Sequence, residues 1–154
     1  MSKAAKPSTK LPMLKAARAV TGYRPIAQHN QAALPTQAGA YLLLVKLAAP
    51  VCVTLAKRPN SRLSAGWYAY AGSAYGPGGI HARVARHFRT DKPVRWHIDQ
   101  LTQAALELWA APAPGGNECT LLQAMHAEPG VMLSVRGFGS SDCRRCGTHL
   151  LQCT

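Results

Sequence analysis

Acidic residues are scarce in this sequence, and none of them precedes Asp91. The 154 residues contain 18 Lys and Arg against 6 Asp and Glu, so the formal net charge is +12. Thirteen of the 18 basic residues lie before Asp91. A field of this sign attracts polyanions and raises the rate at which they meet the protein. The charge therefore predicts a nucleic-acid partner, with a membrane surface or a ribosome-like assembly as alternatives, and it is silent on catalysis.

Long apolar runs and paired cysteines are absent as well. The longest apolar candidate, residues 40–45, has the length of a strand, far below the roughly 20 residues of a membrane-spanning helix. Five cysteines are an odd number, and no secretory signal peptide is recognisable. We therefore expect a cytoplasmic protein without a disulfide framework and without a membrane partner. A hydrophobic content of 47% excludes wholesale disorder.

The N-terminal segment has a composition of its own. Residues 1–37 contain six basic residues and no acidic one, together with Pro, Ser, Thr and much Ala. Residues 10–20 could form a short helix, but they show no clean apolar face. We expect a flexible basic tail that adds sequence-independent affinity for phosphate, with an organelle-targeting peptide as the alternative. The folded domain is then expected over residues 38–154.

Hydrophobic periodicity predicts the elements of that domain. Strands are expected at residues 41–47, 51–55 and 67–71, the first of them apolar throughout and so covered on both faces. Ile80, Val84 and Phe88 recur at every fourth position and predict an amphipathic helix over residues 80–89. Further elements are expected as a helix over residues 94–104, a strand over 106–110 and a helix over 118–126. The result is an α+β fold with a small antiparallel three-stranded sheet flanked by helices.

Four short motifs stand at the ends of these elements. Gly39-Ala40-Tyr41 opens the first strand and Tyr70-Ala71-Gly72 closes the third. Arg83 lies on the next helix, and Glu118 begins a later one. In this order they resemble the GIY-YIG nuclease superfamily, over about three quarters of the chain. The stretches Tyr-Ala-Tyr-Ala-Gly-Ser-Ala-Tyr-Gly-Pro-Gly-Gly, Trp-His-Ile-Asp and Phe-Gly-Ser-Ser-Asp-Cys resemble its Uri-type branch.

The resemblance implies an endonuclease that hydrolyses phosphodiester bonds with a divalent metal, and DNA rather than RNA as the preferred substrate. It implies one Mg²⁺ or Mn²⁺ on Glu118 and a scissile phosphate held by Arg83, whose planar guanidinium suits two-point contact. Tyr41 is implied as general base or water-orienting group, provided that Arg83 and the metal lower its pKa from about 10. Tyr70 is expected beside it. Taken singly, each residue also has a structural interpretation: packing for the tyrosines, backbone-phosphate contact for Arg83 and a solvated first turn for Glu118.

Other candidates surround these four. His97, within the Trp-His-Ile-Asp motif, is a candidate for proton transfer, or else it forms a hydrogen bond with Asp99 or the backbone to organise a turn. Ser73, Arg86 and Arg89 are candidates for substrate binding. His87, one helical turn beyond Arg83, is a candidate for the same proton transfer or for phosphate contact, but a structural role is the favoured interpretation.

The glycine-rich loop at residues 76–79 has two interpretations of equal weight. Free amides at the following helix start would cradle a phosphate, or the glycines only permit a tight connection. The loop lacks the Lys-Ser/Thr pair of a nucleotide-binding loop, so we expect no nucleotide cofactor.

The C-terminal stretch spells C-x-x-C-x-x-H-x-x-x-C. Its ligands Cys143, Cys146, His149 and Cys153 would close a tetrahedral Zn²⁺ site, while reduced thiols packed under a loop are the alternative. The preceding Ser140, Ser141 and Asp142 are candidates for the lining of the active site.

One feature departs from the compact members of the superfamily, in which about ten residues separate the two triplets. Here Tyr41 and Tyr70 are 29 positions apart, so the sheet itself must bring them together. Two other classes of function remain open. One is a non-catalytic basic nucleic-acid-binding module on a nuclease fold, and the other is a zinc-stabilised interaction domain.

Overall fold

The computed structural model describes residues 9–140, 143 and 145–154. Its elements are α1 (Lys10–Thr21), β1 (Ile26–Ala27), a 3₁₀ helix (Gln28–Ala33), β2 (Gly39–Leu47), β3 (Val51–Val53), β4 (Ser61–Leu63), β5 (Gly66–Ala74), α2 (Gly79–Phe88), α3 (Asp99–Thr102), β6 (Ala105–Pro114), α4 (Glu118–His126), β7 (Val131–Leu133) and β8 (Leu150–Cys153). The predicted α+β class is confirmed. No helix within the described ranges has both the length and the apolar character needed to cross a bilayer.

The main sheet has six strands, in the order β1-β6-β2-β5-β8-β7, and every pairing is antiparallel. The expected count of three strands is therefore wrong. Strands β1, β7 and β8 have two to four residues each, too few for alternation to be recognised in the sequence. The segment Val51–Val53 is a strand, as predicted, but it pairs with Ser61–Leu63 in a separate two-stranded sheet.

Strand β2 lies at the centre of the fold because both of its faces are buried. Side chains alternate across a strand, so Tyr41, Leu43 and Val45 pack in one core with helices α2 and α3. Leu42 and Leu44 pack in a second core with α1 and α4. One apolar strand therefore anchors both helical layers.

Helix α2 confirms the predicted amphipathic helix, and its three periodic residues are buried. Its C-terminal end is capped by buried Lys92, whose Nζ donates to the carbonyls of Arg86 at 3.1 Å and His87 at 2.6 Å. A cation at this end satisfies carbonyls that the helix leaves unpaired and complements its dipole.

The predicted helix over residues 94–104 is reduced to the four residues of α3. The carboxylate of Asp99 accepts hydrogen bonds from the backbone N–H groups of Arg95 at 2.8 Å and Trp96 at 2.9 Å. These bonds hold the chain in a turn before α3, so the backbone has a local alternative to a longer helix.

The expected flexible tail is wrong for residues 10–33. Met13 and Ala17 of α1 are 3% and 0% exposed in the second core, and Lys10 forms an ion pair with Glu107. Strand β1 extends the sheet by pairing with β6, with Ile26 opposite Ala110. The buried residues of α1 are Met13 and Ala17, and alanine is a small side chain. The sequence of this helix therefore shows no broad apolar face.

We expect the packing of α1 to contribute to global stability. Met13→Ala should lower the free energy of unfolding by about 2–5 kcal/mol, because it removes a buried side chain and leaves a cavity. Leu11→Ala, at a position 73% exposed on the same helix, is the control and should change it by less than about 0.5 kcal/mol. Urea titration followed by circular dichroism measures both, and equal values for the two variants would show that α1 does not pack on the domain.

Candidate active site

The pairing of β2 with β5 brings the two tyrosines together. Tyr41 lies opposite Gly72 and Leu43 opposite Tyr70, so the tyrosines are diagonal neighbours on the same face of the sheet. A Cβ atom at Gly72 would lie 2.3 Å from the Oη atom of Tyr41. The phenol of Tyr41 therefore crosses the backbone of Gly72, and only glycine fits there. The 28 residues between them contain the β3–β4 hairpin and do not separate the two side chains.

A cleft of about 460 Å³ opens beside these tyrosines. Its lining is Tyr41, Tyr70, Ser73, Tyr75, Gly76, Arg83, His87, Arg95, Trp96, His97, Glu118, Gly139, Cys143 and His149. Six of the residues singled out in the sequence as catalytic or substrate-binding are among them. Helix α4 belongs to the opposite layer, yet its first residue, Glu118, reaches the cleft. Within the described part of the chain, Glu118 is the one acidic residue of this lining.

Tyr41 forms a buried pair with His87, for which the sequence favours a structural role over proton transfer or phosphate contact. Tyr41 Oη lies 2.6 Å from His87 Nε2, and the two side chains are 2% and 1% exposed. Burial, assisted by nearby Lys92, lowers the pKa of His87 from 6.5 to about 3, so the imidazole is neutral at physiological pH. Its spacing of four from Arg83, already evident in the sequence, places both residues on one side of α2.

Arg83 by itself does not bring the pKa of Tyr41 below its ordinary value. Burial raises the pKa well above its ordinary value of 10, Tyr70 adds to the increase, and Arg83 only partly opposes it. Burial, reinforced by Glu118, likewise raises the pKa of Tyr70 to about 12. Both residues are therefore protonated phenols, because removing their hydroxyls from water outweighs the nearby guanidinium.

Arg83 is held over an aromatic ring. Its guanidinium carbon lies 4.6 Å from the centre of the Trp96 ring, and that of Arg86 lies 4.0 Å from it. Such cation–π contacts fix a long side chain in one orientation. Arg83 therefore presents a positioned cation to the cleft.

The expected substrate-binding roles of Arg86 and Arg89 are not supported by their positions. Arg86 is engaged by the buried carboxylate of Asp99 through two hydrogen bonds of 2.9 and 3.0 Å. Burial alone would raise the pKa of Asp99, but these bonds and the two backbone N–H groups hold it below its usual value. Arg89 follows the last residue of α2, and its side chain is 64% exposed beside Asp91. Neither arginine lines the cleft.

His97 is held by a loop from the C-terminal part of the chain. Its Nδ1 atom accepts a hydrogen bond of 2.8 Å from the backbone N–H of Gly139. Burial lowers the pKa of His97, so the ring is neutral and carries its proton on Nε2. The structural interpretation offered Asp99 or the backbone as the hydrogen-bond partner of His97. The partner is the backbone, because the carboxylate of Asp99 is occupied by Arg86 and by the turn before α3.

The glycine-rich loop is a tight connection and not a phosphate cradle. A Cβ atom at Gly79 would lie 2.1 Å from the carbonyl oxygen of Thr36. The first amides of α2 are also occupied: Ile80 donates to Gln37 and His81 to Pro35. An anion would find these donors already used.

A group of metal-type ligands lies next to the cleft. The ligand atoms of Cys119, Cys143, Cys146 and His149 all lie within 4.8 Å of one another, and these residues could hold a metal ion such as zinc. Cys119 takes the place predicted for Cys153, so the expected ligand set is wrong in one member. Cys153 lies in β8, which is paired with β5 and β7. Cys119 lies in α4, 24 positions before Cys143, so no local spacing in the sequence reveals it.

The serine-rich motif before Cys143 is only partly visible. Ser140 is buried, and its Oγ donates to the carbonyl of Gly147 at 3.4 Å, in a neighbouring hollow and not in the cleft. Ser141 and Asp142 lie outside the described residues.

The buried neutral His87 should make stability dependent on pH. Its folded pKa of about 3 lies below the unfolded value of 6.5, so the unfolded chain binds the extra proton and stability falls as the pH drops through that interval. We expect a slope of at most about 1.4 kcal/mol per pH unit from this group between pH 6 and 4. Denaturation of wild type and His87→Gln across that range measures it. His126→Gln, on the surface, is the control and should keep the wild-type slope, and equal slopes for wild type and His87→Gln would contradict the assignment.

Comparison with known proteins gives one family. No curated protein and no solved structure matches the chain. The family described as a domain of unknown function, DUF123, matches residues 40–154, which include every residue that lines the cleft. Because the match covers about three quarters of the sequence, the chain belongs to the DUF123 family.

Proposed function

We propose that this protein is a GIY-YIG-type endonuclease of the Uri-type branch, which hydrolyses phosphodiester bonds in nucleic acid with a divalent metal, DNA in preference to RNA. The observation that supports it is the convergence of Tyr41, Tyr70, Arg83 and Glu118 on one cleft. These side chains come from four separate elements. Packing of the core requires no such meeting of two phenols, a guanidinium and a carboxylate.

The charge around the cleft suits a phosphate backbone. Arg83 and Arg95 line it, and the formal charge of the chain is +12. A guanidinium held over Trp96 is already oriented, so little conformational freedom remains to be lost when it binds phosphate oxygens. The exposed ring of Tyr75 lies in the same lining and offers a surface on which a base can stack.

Glu118 fits a hard divalent cation. Mg²⁺ keeps several waters and is commonly bound by one or two carboxylates together with substrate phosphate oxygens. Glu118 is one carboxylate with a side chain 29% exposed, at the mouth of a basic cleft. Mg²⁺ or Mn²⁺ held there would neutralise charge on the phosphate and lower the pKa of a bound water.

Tyr41 and His97 would orient the attacking water and donate to the phosphate or leaving oxygen. In this proposal the Tyr41 phenol, fixed by His87, accepts a hydrogen bond from the attacking water and so orients it. Its raised pKa argues against a free phenolate. His97 has its Nδ1 atom occupied, so its Nε2–H is the group that can donate to a phosphate or leaving oxygen.

Zn²⁺ is the ion that we propose for the group formed by Cys119, Cys143, Cys146 and His149. Three thiolates and an imidazole are soft to borderline donors that select zinc and disfavour Mg²⁺. Two different metals are thus proposed, a hard ion at the cleft for the nuclease activity and, independently of it, zinc beside the cleft.

A non-catalytic nucleic-acid-binding module is the competing function. The lone Glu118 argues against it, because a carboxylate in a basic cleft repels phosphate unless a cation lies between them. A zinc-stabilised interaction domain would need neither Arg83 nor the paired phenols.

Incubation with labelled nucleic acid tests the proposed activity. Single-stranded, duplex and branched DNA and the corresponding RNA should be offered with Mg²⁺, with Mn²⁺ and with neither. We expect cleavage only with metal, and DNA ahead of RNA. Salt-sensitive binding without cleavage in any lane would establish the binding module instead.

Two substitutions test the roles in the cleft. Glu118→Gln and Arg83→Ala should each lower the cleavage rate by a factor of about 100–1000, because each removes a charge aimed at the reacting phosphate. Circular dichroism should show that both variants remain folded. Arg18→Ala, at an exposed position of α1 in the opposite layer, removes the same charge and should cleave at close to the wild-type rate. Wild-type rates in both cleft variants would refute the assignment.

A further inference from the structure

We infer that Cys119, Cys143, Cys146 and His149 form a structural Zn²⁺ site whose histidine connects the ion to Glu118, so that zinc positions the acidic residue of the cleft. The zinc site itself is independent of the nuclease proposal. Only the function of Glu118 rests on that proposal.

The three thiols and the imidazole are already close enough to share an ion. All four ligand atoms lie within 4.8 Å of one another, and the Sγ atoms of Cys119 and Cys143 are 3.4 Å apart. Ligands around tetrahedral zinc, at bond lengths of 2.0–2.3 Å, are separated by about 3.3–3.8 Å. Small side-chain movements therefore complete the coordination.

His149 supplies a second and independent observation. Its side chain is 2% exposed, and neither ring nitrogen has a hydrogen-bond partner within the described part of the chain. Burying polar atoms without partners is unfavourable, because they lose their hydrogen bonds to water and gain none in return. A metal ion on one nitrogen removes one of these deficits.

The other nitrogen faces the cleft. His149 Nδ1 lies 3.8 Å from Glu118 Oε2, and a shift of about 1 Å brings the pair into hydrogen-bond range. With Nδ1–H turned to the carboxylate, Nε2 is the nitrogen left for zinc. Histidine ligands to zinc commonly donate their second N–H to a carboxylate in this manner, which fixes both groups.

The ion would also join two segments of the chain that are far apart in sequence. Cys119 is in the first turn of α4, next to Glu118, whereas Cys143, Cys146 and His149 come from the loop before β8. That loop is tied to the wall of the cleft, because His149 N–H donates to Phe138 and the His149 carbonyl accepts from Ala71. Zinc would therefore hold the start of α4 against this wall.

Metal content tests the site. Wild-type protein, purified without chelator, should contain about one zinc per chain by elemental mass spectrometry, and stripping the zinc should lower the melting temperature. Cys119→Ser and Cys146→Ser should each retain less than about a fifth of the zinc. Cys52→Ser, an exposed thiol outside the group, is the matched control and should retain all of it. A zinc-free wild type, or full zinc in both cluster variants, would overturn the site.

The connection to Glu118 needs a variant that keeps the zinc. His149→Cys preserves four ligands but removes the imidazole. We expect it to hold one zinc yet bind Mn²⁺ at least about 10-fold more weakly than wild type, as measured by electron paramagnetic resonance. Glu118→Gln should keep the zinc and lose this Mn²⁺ binding. Wild-type Mn²⁺ affinity in zinc-loaded His149→Cys would overturn the connection.

These readouts separate the two proposals. If wild type binds zinc and Mn²⁺ as expected but cleaves no nucleic acid, the nuclease proposal fails while the zinc site and its connection stand. If cleavage occurs in protein that contains no zinc, the inference fails while the nuclease proposal stands.

Discussion

The passage of the Tyr41 phenol across the backbone of Gly72 is the contact on which the cleft depends. It requires the antiparallel register of β2 and β5 and the absence of a side chain at position 72. With this contact in place, the hydroxyl of Tyr41 reaches His87 on α2, and Tyr70 lies diagonally beside it. Any larger residue at 72 would displace the ring and open the pair.

Desolvation governs the chemistry of the buried groups more than proximity of charge does. Arg83 lies close enough to lower the pKa values of both tyrosines, yet burial raises each of them. The same effect keeps His87 neutral although Asp99 favours its charged form. Buried phenols and imidazoles therefore act by donating, accepting and orienting.

Two kinds of metal ligand, a carboxylate and a thiol, lie side by side at the start of α4. Successive side chains of a helix point about 100° apart. Glu118 therefore reaches the cleft, while Cys119 faces the other three ligands of the proposed zinc site. The start of α4 is fixed by Asn117, which caps the helix. Its side chain accepts hydrogen bonds from the N–H groups of Cys119 at 2.9 Å and Thr120 at 3.2 Å. Hard and soft ligands are thereby presented by one helical turn.

The amino-acid sequence by itself determined the elements with strong periodicity and the four motif residues. Three such patterns are local and are present in the sequence itself. They are the apolar run of β2, the spacing of four in α2 and the order of Tyr41, Tyr70, Arg83 and Glu118. The expected α+β class followed from them, whereas the meeting of Tyr41 and Tyr70 depends on the pairing of β2 with β5.

Tertiary structure alone decided what depends on distant partners. The burial of α1 needs the second core, the pKa direction of Tyr41 needs the enclosing layers, and Cys119 reaches Cys143 from 24 positions away. The sequence predicts substrate binding for Arg86, whereas in the folded chain its guanidinium is held by the carboxylate of Asp99. Burial and long-range contact are properties of the folded chain, and no short window of sequence carries them.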